Sequence, residues 1–227
     1  MEQNVRDWST SPNIRCPLKL QRTMWPGTRF YDKQIEIVTS VRESKETWVH
    51  AGNMLGKDYV AGYVALSFFL CPQVYFDPEY VAEVESWRSP DNPNPHTRRV
   101  VTSSVKEEHL NVLWGEIGRY VQTCRAPLVS PEGPIVINHQ EIRFANEMTA
   151  KNPYNYLKGM VSQSVEGLSG HHAAYTLALF DEASGMEDDR YEAVQGWAKR
   201  VLGIGNPNPT TNFYYKGCKD GTREAAR

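Results

Sequence analysis

The sequence predicts an α/β fold with a mostly parallel central sheet flanked by helices, and two stretches carry the prediction. In the first, the apolar run Thr47-Trp48-Val49-His50 enters the loop Ala51-Gly52-Asn53-Met54-Leu55-Gly56-Lys57-Asp58, and a helix-forming stretch from Tyr59 to Leu70 follows. A strand, a Gly-bearing loop ending in Gly-Lys and a helix is the layout of a phosphate-binding loop. In the second, the apolar run Tyr175 to Phe180 stops abruptly at Asp181 and Glu182. That pattern reads as a buried parallel strand with carboxylates at its C-terminal tip, which is where open α/β sheets bind ligands.

Composition bounds the rest. A chain of 227 residues, 40% apolar, makes one sizeable domain, or one with a small appendage. A net charge of −2 and a pI near 6.3 leave no global basic footprint, so any contact with nucleic acid would be local or supplied by another part of a longer protein. Cys16, Cys71, Cys124 and Cys218 are scattered, which argues against a zinc site or a disulfide framework and fits a reducing compartment. The N-terminus lacks the basic stretch and apolar run of a secretion signal. The longest apolar-rich run, Val60 to Cys71, is too short for a membrane span.

Taken in order, residues 1–29 read as an N-terminal arm and 30–227 as the main domain. Asp32 caps a helix to Arg42 with Ile35, Ile37, Val38 and Val41 on one face. Gln34, on its first turn, offers a donor and an acceptor together, which suits an adenine edge as well as solvent. Prolines crowd the chain at 72, 78, 90, 93 and 95, so 89–95 is a loop. A strand over 97–103 ends in hydroxyls, and a helix over 105–123 has Leu110, Leu113, Trp114, Ile117 and Val121 at helical spacing. Residues 135–137 and 141–145 read as a hairpin, 146–160 as a mobile lid, 159–162 as a strand and 164–172 as a loop. A helix over 191–199 and a strand over 200–206 follow, and Pro207 stops the strand. Phe213-Tyr214-Tyr215 reads as packing, and Lys219 to Arg227 as a charged tail.

The chemistry lies in three places. Backbone N–H groups at the start of the loop helix would face an anion, and Lys57 would add a point charge on the β/γ-phosphates. Two positions depart from the pattern: Ala51 stands where Gly is usual, and Asp58 where a Mg²⁺-ligating hydroxyl is usual. A carboxylate can ligate Mg²⁺ too, but it repels phosphate. Asp181 would hold Mg²⁺, and Glu182 would orient or activate the attacking water. Neighbouring strand residues point opposite ways, which lets the two acids take different jobs. Asn206, at a strand tip, could touch the γ-phosphate and report its loss, although an Asn-Pro turn needs no such role. A Gly-Lys loop alone is a weak signal. The Asp-Glu strand tip 124 positions after Lys57 (181 minus 57) makes the combination specific.

The order of motifs then matters. Gln34 and the 51–58 loop come first, followed by the Thr102-Ser103 strand end and Leu113-Trp114-Gly115-Glu116-Ile117. Val165-Glu166-Gly167-Leu168-Ser169-Gly170-His171-His172, Phe180-Asp181-Glu182-Ala183-Ser184-Gly185 and Gly205-Asn206-Pro207 complete the series. Together they resemble the large terminase subunit of tailed bacteriophages, over roughly residues 30–215. The resemblance implies a P-loop NTPase of the additional-strand catalytic glutamate type. It implies an ATP- and Mg²⁺-dependent motor that packages double-stranded DNA into a procapsid. The implied partners are the portal protein, the small terminase subunit and further copies of the chain in a ring, a pentamer. The implied location is the host cytoplasm, transiently at the procapsid portal. By resemblance Gln34 looks like the adenine-motif residue, Lys57 the loop lysine, Asp181 and Glu182 the metal and catalytic acids, and Asn206 part of the coupling motif. Ala51 to Asp58 would cradle the nucleotide, with Asp58 a second metal ligand.

Asn53 stands where many terminases carry a loop arginine, so the finger must come from elsewhere, with Arg98, Arg99, Arg125, Arg143 and Lys158 as basic candidates. The chain stops before the nuclease domain that the resemblance implies, so no nuclease activity is expected of it. Two rival readings stay open: another P-loop translocase or helicase-like ATPase, and a degenerate nucleotide-binding scaffold that docks DNA or portal.

Overall fold

A computed structural model describes residues 14–52, 55–147, 154–161, 165–206 and 211–224. Its centre is a seven-stranded sheet. In chain order the strands are β1 (Glu46–His50), β2 (Arg98–Ser104), β3 (Ile135–Ile137), β4 (Glu141–Phe144), β5 (Tyr156–Val161), β6 (Tyr175–Asp181) and β7 (Arg200–Gly205). The helices are α1 (Pro17–Met24), α2 (Asp32–Glu43), α3 (Lys57–Leu70), α4 (Pro78–Ser86), α5 (Glu107–Thr123), α6 (Asp188–Gln195) and α7 (Phe213–Glu224).

The spatial order of strands is β1-β7-β6-β2-β5-β4-β3. The five strands from β1 to β5 run parallel, and the β3–β4 hairpin adds an antiparallel edge. Strand β7 therefore separates β1, which enters the loop, from β6, which ends in the acid pair. Parallel strands joined by helical crossovers put the helices on both faces.

One face carries the larger core. Helix α3 is buried all round, from Val60 to Leu70, as its apolar composition requires. It packs on α5, which turns Leu110, Leu113, Trp114, Ile117 and Tyr120 inward at helical spacing. Gly62 permits the crossing, because a Cβ there would stand 3.0 to 3.2 Å from Glu116 and Ile117. The other face carries a smaller cluster, in which Phe180, Val194, Trp197, Val201, Phe213 and Tyr214 pack under α6 and α7.

Several expectations are corrected. Part of the segment expected as an arm forms α1: Cys16 caps it, Pro17 stands at its first position, and Leu20, Met24 and Trp25 enter the core. The proline-rich region contains α4, started by the Asp77 side chain accepting from the Tyr80 N–H, with Pro78 at N1. The 146–160 region is not one lid, since Tyr156–Val161 is β5, paired to β2 and β4; residues 148–153 lie outside the described residues. The segment expected as a charged tail begins inside α7, which runs on to Glu224. Among the described residues no helix is long and apolar enough to cross a membrane.

Candidate nucleotide site

The loop leaves β1 beside β7, where the Ala51 N–H donates to the Gly205 carbonyl. Asn53 and Met54 lie outside the described residues. Leu55 is exposed, and its carbonyl accepts from the Tyr31 hydroxyl. Gly56 is left-handed, with φ of 69°. A Cβ there would stand 2.8 Å from the Gln34 amide nitrogen, so both the conformation and the space require glycine. Gly56 brings no capping side chain to the start of α3, where the first N–H groups of a helix suit an anion.

Lys57 is the first residue of α3 and is 5% exposed. Its Nζ donates to Glu182 Oε1 at 2.6 Å and to Asn206 Oδ1 at 3.2 Å. The Asn206 amide in turn donates to Glu182 Oε2 at 3.3 Å. Three residues from three segments thus close one ring of hydrogen bonds at the C-terminal edge of the sheet. Glu182 reaches this position by leaving the strand. Its φ is 50°, left-handed, and it heads the turn Ala183–Gly185. Strand alternation alone, the expectation for the acid pair, does not place it; a backbone conformation uncommon for a side-chain-bearing residue does.

Asp181 stays in the strand, 2% exposed, facing α3, and its Oδ1 has no hydrogen-bond partner. Burial pushes its carboxyl up to about 7, the charges of Asp58 and Glu182 push the same way, and Lys57 pulls it down. Asp58, on the first turn of α3, is also raised, chiefly by burial and against the pull of Lys57. Two crowded carboxyls, one with an orphaned buried oxygen, fit a divalent cation such as Mg²⁺, which takes oxygen donors. Among the described residues no group of three or more His, Cys, Asp or Glu is arranged to hold a metal by itself.

Gln34 is buried beside the loop. Its carbonyl oxygen accepts from the Tyr31 N–H, and its amide donates to the Gly56 carbonyl. Both halves of the amide that would read an adenine are thus in contact with the α2 cap and the loop.

Among the basic candidates, Arg98 is a core residue. Its guanidinium donates to the Leu70 and His96 carbonyls and lies over the Phe144 ring. Arg143 pairs with Glu141 at 2.5 Å. Arg99 lies over Tyr156 at the N-terminal end of β2, the end opposite the loop. Gly170-His171-His172 precedes β6 at that same end, where the His171 ring contacts the Tyr156 hydroxyl and the Gly167 carbonyl.

Sequence reasoning missed the support beneath the site. The Tyr214 hydroxyl contacts the Val49 and Gly205 carbonyls at 2.6 and 2.9 Å. Asn212 donates to the carbonyls of Ala183 and Met186 around the Glu182 turn. An Asn and a Tyr opening a charged segment carry no motif that could have announced this. A cleft of about 320 Å³ lined by Trp48, Tyr191, Phe213 and Lys216 lies on the other face of the sheet and includes none of the loop residues.

A loop lysine at a helix start, an acid pair on the second strand over and an extra strand between them define a P-loop NTPase fold of the additional-strand type. No protein-family model matches the sequence. No curated protein matches it. Solved structures do share its fold. The HK97 bacteriophage large terminase is 11% identical with a TM-score of 0.59, covering 94% of this chain and 42% of its own. The ATPase domain of the Thermus phage P74-26 large terminase is 14% identical with a TM-score of 0.55, covering 87% of this chain and 72% of its own. A mutant of that domain matches equally. The chain has the fold of large terminase ATPase domains.

Proposed function

We propose that this chain is a Mg²⁺-dependent ATPase and the motor domain of a terminase, driving double-stranded DNA into a procapsid. The observation that carries the reading is the meeting of Lys57, Glu182 and Asn206 within 3.3 Å of one another beside Asp58 and Asp181, at the N-terminal end of α3. In this reading the α3 N–H groups and Lys57 bind the phosphates, and Glu182 accepts a proton from the attacking water. Asp181 and Asp58 would hold Mg²⁺, whose charge would offset that developing on the transferred phosphoryl group. Gln34 touches the loop carbonyl at Gly56 and lies where it could sense the base. Phosphate would compete with Glu182 for the Lys57 ammonium, so nucleotide entry and release of the glutamate are one event. Asn206 contacts both groups and would carry that change into β7.

Double-stranded DNA, the portal protein, the small subunit and a pentameric ring belong to this proposal, as do the host cytoplasm and the procapsid portal as its place of work. An arginine supplied by a neighbouring copy would complete the site. The test is ATP turnover by the chain with Mg²⁺, with and without double-stranded DNA. The reading expects turnover to fall by on the order of 100-fold or more in Glu182→Ala and Lys57→Ala. Turnover as fast as the parent's in both variants would overturn it.

A further inference from the structure

The loop lacks a hydroxyl where a phosphate-binding loop usually provides one to the metal, because Asp58 stands there. Hydroxyls occur instead at the tip of the neighbouring strand. Ser104 ends β2 in register with Asp181 at the end of β6. Partners in a parallel ladder face the same way, and adjacent strands lie about 4.8 Å apart. Both side chains therefore point to the α3 face, toward Lys57 and Asp58. Ser104 is fully buried, and its Oγ has no hydrogen-bond partner, nor has the Asp181 Oδ1 beside it. Buried polar atoms are nearly always satisfied, and two orphans side by side mark a place for a shared ligand. A hydroxyl can donate and accept, whereas the carboxylates around it only accept. A water between Ser104 and Asp181 would satisfy both.

The geometry points to Ser104 as a positioning residue of the metal arm. Its hydroxyl orients, through a water shared with Asp181, the coordination shell of the divalent cation that accompanies the nucleotide. It thereby supplies from β2 the hydroxyl that the loop lacks at Asp58. The inference rests on the nucleotide reading above. Ser103, one position earlier, is the natural control: its Oγ is also buried without a partner, but it points to the opposite face.

The probe is Mn²⁺ with a non-hydrolysable ATP analogue, with free Mn²⁺ followed by electron paramagnetic resonance on the whole chain. Ser104→Ala is expected to weaken Mn²⁺ about 10-fold, the size typical of losing a group behind a metal ligand. Ser104→Thr, which keeps the hydroxyl, is expected to restore it, and Ser103→Ala to leave it unchanged. The melting temperature of metal-free Ser104→Ala should stay close to the parent's, because no protein group bonds to the hydroxyl; a serine that serves only the fold would lower it. Unchanged Mn²⁺ affinity in Ser104→Ala, or an equal loss in Ser103→Ala, would overturn the assignment while leaving the nucleotide reading in place. A folded parent that binds no Mn²⁺ with the analogue would sink the nucleotide reading, and the role of Ser104 with it.

Discussion

The Nζ of Lys57 lies 2.6 Å from the Oε1 of Glu182, across 125 positions of sequence. Lys57 is 5% exposed and the Glu182 side chain 19%, so the pair is screened little by water. A buried ion pair of this kind is weak evidence of stabilisation, since desolvation offsets most of its attraction. Its placement at a helix start, among loops rather than in the core, suits a contact that is made to be exchanged.

Asn206 bridges the two partners, accepting from Lys57 and donating to Glu182. Asn206→Ala should leave ATP affinity within about 3-fold of the parent and lower turnover by on the order of 100-fold, because a misplaced general base loses about that much. Steady-state kinetics separates KM from kcat. A rise in KM alone would show that Asn206 binds nucleotide rather than holds the glutamate.

Asp181 sets a pH dependence. Its carboxyl is pushed from an ordinary 3.8 to about 7, first by burial and then by Asp58 and Glu182. Between those values the folded chain keeps a proton that the unfolded chain releases, so stability drains away as pH rises through the window. In metal-free buffer Asp181→Asn should melt progressively higher than the parent as pH goes from about 4 to about 7. Melting curves at a series of pH values test this. A gap that shrinks with rising pH would contradict it.

Gly56 holds φ at 69° with Gln34 packed where a Cβ would go. Gly56→Ala should cost roughly 1–2 kcal/mol from the left-handed conformation, plus displacement of the Gln34 amide. Weaker ATP binding should accompany the lower melting temperature. A variant that melts and binds as the parent does would show that the loop turn is not held as described.

The local parts of the site were legible because each is a short pattern at the end of an element. Gly56-Lys57 opens a helix, Asp181-Glu182 ends an apolar strand, and Asn206 follows another. Their convergence was not a local property. The placement of β7 between β1 and β6 is a long-range pairing that the residues do not encode as a pattern, and only the resemblance implied it. Helix α1 lies in a polar, mixed stretch without strong periodicity, and α4 among crowded prolines, although Pro78 stands at its first position, where the missing N–H costs nothing. Only the second half of β5 reads as a strand in the sequence, because Lys158 and Gly159 interrupt its apolar run and leave Tyr156 and Leu157 looking like lid. Gly159 is there for space, since a Cβ would stand 2.5 Å from the Trp114 indole nitrogen. Arg98 looked like a free basic residue and is a core donor, bonded to carbonyls that no sequence window pairs with it.

The central claim is that Lys57 and Glu182 serve one triphosphate, the first by binding it and the second by acting on it. Calorimetric titration of Mg²⁺-ATP into Lys57→Ala and Glu182→Gln tests this most directly, because the two variants break the same ion pair. Lys57→Ala should lose roughly 10- to 100-fold in affinity, the worth of a charged hydrogen bond to phosphate. Glu182→Gln should bind as tightly as the parent or tighter, since Lys57 no longer has a competing carboxylate. Equal losses in the two variants, or no change in either, would contradict the account.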